Sequence, residues 1–127
     1  MAESLPLWHV SERSLWEEAL GAGVYRWSTR GRTLGDEGFI HFCYPSQLEW
    51  VARHFYDGVT EPLVILEVNR DALGAPIRLE SVLGSEERFP HLYGPLPTRA
   101  VAFVRTLEIT AEAITIGDPE HVDRTGG

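Results

Sequence analysis

The chain has 127 residues, enough for one domain around one hydrophobic core. Its apolar share of 43% and charged share of 24% are ordinary for a globular protein, and nineteen acidic against eleven basic residues give a net charge of −8. Every basic side chain is arginine, and the acidic balance excludes the clustered cationic surface of a broad nucleic-acid binder, while leaving room for a local arginine group that holds one phosphorylated ligand.

The single cysteine excludes an internal disulfide and fits a reducing compartment. The opening "MAESLPLWHV" has no signal-peptide pattern, and no stretch reaches the roughly 20 apolar residues of a membrane span. The expectation is a cytoplasmic protein with no membrane contact and with its oligomeric state open.

In chain order, "LPLWHV" (Leu5 to Val10) is the first expected strand, short, apolar and aromatic. "SERSLWEEALGAG" reads as a helix. Ser11 or Ser14 can cap it, Ser14 and Glu17 have capping-box spacing, and Leu15, Trp16, Ala19 and Leu20 form the buried stripe up to Gly21 or Gly23. "VYRWSTRGRTLGDE" is expected to loop around a short strand, and "GFIHFC" to be the next strand. In "YPSQLEWVARHFYDG" Ser46 and Glu49 have capping-box spacing, Leu48, Val51, Ala52 and Phe55 share a face, and Gly58 is a natural stop.

The chain then turns β-rich. "LVILEV" (Leu63 to Val68) is a near-continuous apolar run suited to a central strand, and "IRLESV" (Ile77 to Val82) alternates after the turn residues of "NRDALGAP". "GSEERFPHLYGPLPTR" holds three of the eight prolines and reads as an ordered loop, and "AVAFVRTLEIT" (Ala100 to Thr110) as the last long strand. This order predicts an α+β fold, a mostly antiparallel sheet with two helices in the N-terminal half. Residues 1–110 form the single expected domain and 111–127 a partly disordered tail.

Three histidines stand among apolar or aromatic neighbours: His9 in "LWHV", His41 in "GFIHFC" and His91 in "FPHLYGPL". Each alone could be a half-buried imidazole bonded to backbone, but burying three costs free energy unless their nitrogens find partners. A zinc shell could draw on them with Cys43, which shares a strand face with His41, yet the spacing matches no compact zinc motif and no metal is expected. Cys43 has no nucleophile signature around it and reads as a small hydrophobe. On the proline-stiffened loop, His91 and Tyr93 suit a flat ring with a polar edge, whereas Phe89, Leu92 and Tyr93 could instead merely cover the sheet.

The stretches Leu7-Trp8-His9-Val10, "GFIHFC", Phe55-Tyr56, "LVILEVNRDALGAPIRLE" and "FPHLYGPL" together resemble the bacterial "domain of unknown function 952" family, over roughly Leu7 to Leu107. That family is similar to the ADP-ribosyltransferase fold, particularly its RNA 2′-phosphotransferase branch. The resemblance implies an ADP-ribosyltransferase-like fold and a small-molecule nucleotide ligand, NAD or a relative. It implies that His9 holds a nucleotide ribose, that His41 is the middle-motif histidine, and that His91 and Tyr93 fall near the third motif. His41, His91 and Tyr93 are then the catalytic candidates, and His9, Gly38, Cys43, Tyr56 and Glu80 line the cofactor.

Three departures stand out: "FPHLYGPL" has no glutamate, Trp8 replaces a usual tyrosine, and Cys43 replaces a frequent serine. Glu67 or Glu80 could supply the missing carboxylate, Glu80 better, because strand alternation sets Arg78 and Glu80 opposite Ile77, Leu79 and Ser81. Gly38 would let the backbone approach a ligand. Nicotinamide release would proceed through an oxocarbenium-like transition state, which positioned histidines and a tyrosine could serve. The alternatives are a non-catalytic nucleotide- or small-molecule-binding module and, second, a histidine-ligated metal site. His9, His41 and His91 are expected in one cleft, with His54 and His121 outside it.

Overall fold

The structure, a computed structural model, describes residues 5–122. Strand β1 (Leu7–Glu12) leads directly into helix α1 (Arg13–Ala22), followed by β2 (Val24–Tyr25), β3 (Trp27–Thr29), β4 (Arg32–Thr33) and the one-turn helix α2 (Leu34–Glu37). After β5 (Ile40–His41) and α3 (Leu48–Phe55) the chain is β: β6 (Leu63–Val68), β7 (Ile77–Ser81), β8 (Arg88–Leu92), β9 (Leu96–Pro97), β10 (Val101–Ile109), β11 (Ile114–Ile116) and β12 (Glu120–His121). Every strand pair among the described residues is antiparallel, so the α+β, mostly antiparallel architecture expected from the sequence is the one found. No helix among the described residues is long and apolar enough to cross a membrane.

The main sheet has the order β1-β6-β10-β11, with β12 also paired to β10. Its middle is the apolar run Leu63–Val68, which lacks alternation because both of its faces are covered. Val64, Leu66 and Val68 enter one core layer with Leu7, Trp16 and Ala19. Leu63 and Ile65 enter a second layer with Trp8, Val10, Leu48 and Tyr56. Each fully buried aliphatic side chain in these layers contributes about 1.5–3 kcal/mol.

A second sheet, β5-β8-β7, abuts the first at the β1 edge. The joint is an isolated bridge in which Trp8 and Cys43 exchange N–H···O bonds of 2.8 Å in both directions. The two sheets thus continue as one surface, with α1 over one face through Trp16 and α3 over the other through Leu48.

Local structure departs from the sequence expectation in five places. Ser11 is not a helix cap: it lies within β1, and Glu12 takes the N-cap position without a side-chain bond. The segment 24–37, expected as a loop around one strand, holds three short strands and α2, whose start is closed by the Thr33–Asp36 capping box. At α3 the turn is fixed by Gln47 rather than Ser46, since Gln47 Oε1 accepts the Tyr44 N–H at 3.0 Å.

The largest difference is "RFPHL", expected as loop and found as β8, the middle strand of its sheet. Proline fixes φ near a value a strand accepts and removes only one donor, and the Pro90 carbonyl still accepts the Phe42 N–H at 2.9 Å. Finally, the expected tail at 111–127 is structured where β11 and β12 pair with β10, while residues 123–127 lie outside the described residues.

Candidate active site

Register places the candidate side chains. In the second sheet His41 pairs with His91 and His91 with Arg78, while Phe89 pairs with Glu80. Directly opposed residues of antiparallel strands share a face. Arg78 and Glu80 on β7, Phe89 and His91 on β8, and His41 on β5 therefore stand on one face, with Phe39, Cys43 and Tyr93 in step along their chains. Ile40, Phe42 and Leu92 point the other way, into the α1-side core.

On this face the imidazoles of His41 and His91 meet edge to face, ring centroids 4.8 Å apart. Each has a carboxylate. His91 is 2% exposed, and its Nδ1 lies 3.0 Å from Glu80 Oε1. The same oxygen accepts the Tyr93 hydroxyl at 2.5 Å. His41 Nε2 makes a longer contact, 3.4 Å, with Glu37 Oε1, while Glu37 Oε2 accepts from Arg32 at 2.8 Å. The Arg78 guanidinium lies 5.0 Å above the Tyr93 ring at the rim.

These contacts settle protonation. Burial lowers the pKa of His91 against the opposing pull of Glu80. Burial, and then the proximity of His91, lower that of His41 against Glu37. The Tyr93 hydroxyl first, and His91 second, hold the Glu80 carboxyl below its ordinary value, and Glu80 in turn pushes the Tyr93 phenol up. An ionised carboxylate only accepts, so His91 carries its proton on Nδ1 and presents a lone pair at Nε2. That Nε2 is buried and has no hydrogen-bond partner among the described residues.

His9 does not join this pair. Across the Trp8–Cys43 bridge the faces continue, so His9 shares a face with Phe42, its ring centroid 5.4 Å away, and not with His41. Its Nδ1 donates to the His41 carbonyl at 2.6 Å, and its Nε2 meets the Tyr25 hydroxyl at 2.8 Å, which also stands 2.8 Å from Ser11 Oγ. Burial drives its pKa down to about 4. With both nitrogens bonded inside the protein, His9 orients β5 through its backbone and offers a ligand no free nitrogen. The expectation of three converging imidazoles is thus corrected to two, because strand alternation turns the third to the opposite face.

The other candidates fall as follows. Gly38 ends α2 in the left-handed conformation, φ +86°, with its N–H on the Leu34 carbonyl. Its glycine serves that turn, since nothing lies within 4 Å of where a Cβ would be. Cys43 is buried, and its thiol is pushed up to about 12. Tyr56 is buried with its hydroxyl donating to the Val10 carbonyl at 3.1 Å, and burial raises its pKa to about 12. Together with His9 and His41, but not His91, both line a small, mainly apolar cavity of about 20 Å³, room for a water-sized molecule and not for a ring. Glu67 is engaged elsewhere, by Trp8 Nε1 at 3.0 Å and Arg105 at 3.1 Å. His54 and His121 are exposed; His54 packs on Trp50 and Phe55 and His121 on Phe103.

Glu37, which lies in no quoted motif, and Phe39, which lies in "GFIHFC" but is not singled out there, complete the cluster. Phe39 stacks on His91, centroids 4.2 Å apart and planes within 11°. The available sequence signal was the Thr33-x-x-Asp36 spacing before Gly38, which marks a helical turn ending just ahead of His41. Among the described residues no group of three or more His, Cys, Asp or Glu side chains is placed to hold a metal ion.

Comparison with known proteins gives a family and similar structures without adding an activity. The profile of a family described as "Protein of unknown function (DUF952)" matches residues 10–104. Two crystal structures of Protein CC0527 from Caulobacter crescentus are similar to the chain. One is 29% identical with a TM-score of 0.71, and the other, a double mutant, is 28% identical with a TM-score of 0.70. Each comparison covers 91% of this chain and 93% of that one. No curated protein matches the chain.

Proposed function

The chain belongs to the DUF952 family of proteins of unknown function, and we propose that its His41–His91 pair binds NAD or a related nucleotide and cleaves or transfers the ADP-ribose unit, in an ADP-ribosyltransferase-like arrangement. The observation that supports this best is the state of His91: Nδ1–H held by Glu80, Nε2 bare, and the whole ring buried. Such an imidazole is a base whose tautomer is fixed in advance. Glu80 also supplies, from β7, the carboxylate that "FPHLYGPL" lacks.

The residues suit a ribose better than a phosphate. Glu37 and Glu80 repel anions, so sugar hydroxyls belong beside the histidines, and the diphosphate belongs toward Arg78 at the rim. A bound NAD supplies an N-glycosidic bond whose leaving group departs neutral. His91 Nε2 accepts the proton of a hydroxyl, and Glu80 offsets the charge that this creates on the ring. His41, whose protonation is opposed first by burial and then by His91, is the second neutral imidazole beside it.

A second reading, a non-catalytic nucleotide-binding module, draws on the saturation of Glu80: one oxygen already serves both Tyr93 and His91. A thermal-shift titration with NAD, ADP-ribose and nicotinamide tests both. At a hundredfold excess over Kd a ligand adds about 2.7 kcal/mol, several degrees in a domain of this size. We expect a shift that His41→Ala abolishes in protein that remains folded. Release of nicotinamide from NAD supports the enzyme, and a shift without release supports the module. No shift with any of the three compounds removes both.

A further inference from the structure

We infer that strand β7 is a dimer edge: a second copy of the chain pairs with it, antiparallel about Leu79, so that each Arg78 stands opposite Glu80 of the partner subunit. Glu80 is the carboxylate that holds His91, so the pairing brings a residue of one copy to the site of the other.

β7 is the last strand of the second sheet, in the order β5-β8-β7. The far end of the main sheet closes with strands of three and two residues, β11 and β12. β7 instead presents five, Ile77–Ser81, with no proline, lysine or bulge to blunt the edge. Its neighbour decides which backbone groups face outward. The Pro90 carbonyl accepts the Phe42 N–H at 2.9 Å, toward β5, so Leu79 and Pro90 form a non-hydrogen-bonded pair. The N–H and C=O of Ile77, Leu79 and Ser81 therefore point away from β8, and those of Arg78 and Glu80 toward it. The Tyr93 N–H, 2.9 Å from the Pro76 carbonyl, keeps the same alternation. Leu79 is 48% exposed, an apolar side chain on an open edge.

The charges of this edge complement themselves. Ile77, Leu79 and Ser81 can bond outward only to the same three residues of another copy. With Leu79 opposite Leu79, Ile77 meets Ser81 and Arg78 meets Glu80, twice about a two-fold axis. Slipping to the next register either way opposes Arg78 to Arg78 or Glu80 to Glu80, so like charges guard the register on both sides. The Arg78–Glu80 pair falls at a non-hydrogen-bonded position, where side chains come closest.

Both partners are open to it. Arg78 forms no ion pair among the described residues and rests on the Tyr93 ring. Glu80 uses only Oε1 for His91 and Tyr93. On the opposite face the two Leu79 side chains cover one another, and the sheet runs on from one subunit into the next with both His41–His91 pairs on the same side.

Sedimentation velocity of the whole chain tests this. We expect a monomer–dimer equilibrium that Arg78→Glu and Glu80→Arg each weaken about tenfold or more, since each sets like charges opposite on both sides of the axis. An equimolar mixture of the two variants should associate like the wild type, because every cross-strand pair is opposite again. Crosslinking changes no charge and guards against a folding defect in those variants. Leu79→Cys should form a disulfide-linked dimer on oxidation, since directly opposed Cα atoms lie about 5.5 Å apart. Ser81→Cys should not, because its two thiols would stand four residues, about 13 Å, apart along the strands. Cys43, the only natural thiol, is buried and does not interfere. Wild-type protein that stays monomeric up to about 1 mM overturns the inference. So does a dimer that neither charge variant weakens, or equal crosslinking at the two positions.

Discussion

At the scale of single residues, the three apolar-flanked histidines have separated into two kinds. His41 and His91 stand on one face with carboxylates beside them, while His9 is a structural imidazole with both nitrogens bonded. Their common signature in the sequence, a histidine between apolar neighbours, could not tell them apart, because the facing of His9 is set by its partner across the Trp8–Cys43 bridge. The burial of His9 has a pH consequence. The unfolded chain protonates His9 as pH falls through 6.5, and the folded protein only near 4. Its contribution is therefore whole above about pH 6.5 and is lost as pH drops toward 4, by about 3 kcal/mol. His41 and His91, also lowered, act in the same direction. Urea midpoints measured across this range should fall steeply for the wild type and less steeply for His9→Gln, which has lower stability at neutral pH but nothing to protonate. Identical slopes in the two proteins would show that His9 is not the buried titrating group.

At the scale of elements, legibility followed length and covering. β6 and β10 were readable because long apolar runs carry their own signal, and α1 and α3 because their stripes do. β2, β5 and β9 have two residues each and exist only through their partners. The site was half legible: His41, His91, Tyr93 and Glu80 could be named, but Glu37 depends on α2, hidden in a stretch whose arginines and glycines look like loop, and Phe39 read only as one apolar residue of "GFIHFC". β8 was hidden by Pro90, which argues against a central strand unless the fold tolerates one missing donor. The connection after β8 gives a prediction. A Cβ added at Gly94 would stand 2.6 Å from the Ala75 Cβ. Gly94→Ala should then cost about 1–3 kcal/mol of overpacking, and Ala75→Gly in the same chain should recover most of it. Denaturant unfolding of the single and double variants decides this, and a double variant no more stable than Gly94→Ala would mean that the strain lies elsewhere.

For the whole molecule, the decisive joint is the one between the two sheets. β5 is pinned to β8 on one side and, through Cys43 and the His9 side chain, to β1 on the other. The site therefore cannot open at β5 without parting the main sheet from the second, and its strand belongs to the most stable cooperative unit. Amide exchange should show this directly. The Trp8 and Cys43 N–H groups should exchange only through global unfolding, whereas amides near Leu83, 94% exposed beyond β7, should exchange early. Fast exchange at Cys43 in folded protein would break the link between site and core. The same joint makes Cys43 a built-in chemical clock. It is the only thiol in the chain, it lies in the seam, and burial keeps it protonated. A thiol reagent reaches it only when the seam parts, so its rate of modification in mild denaturant times that parting without any added label, and a cysteine introduced at Leu83 would react alone while the seam stays shut.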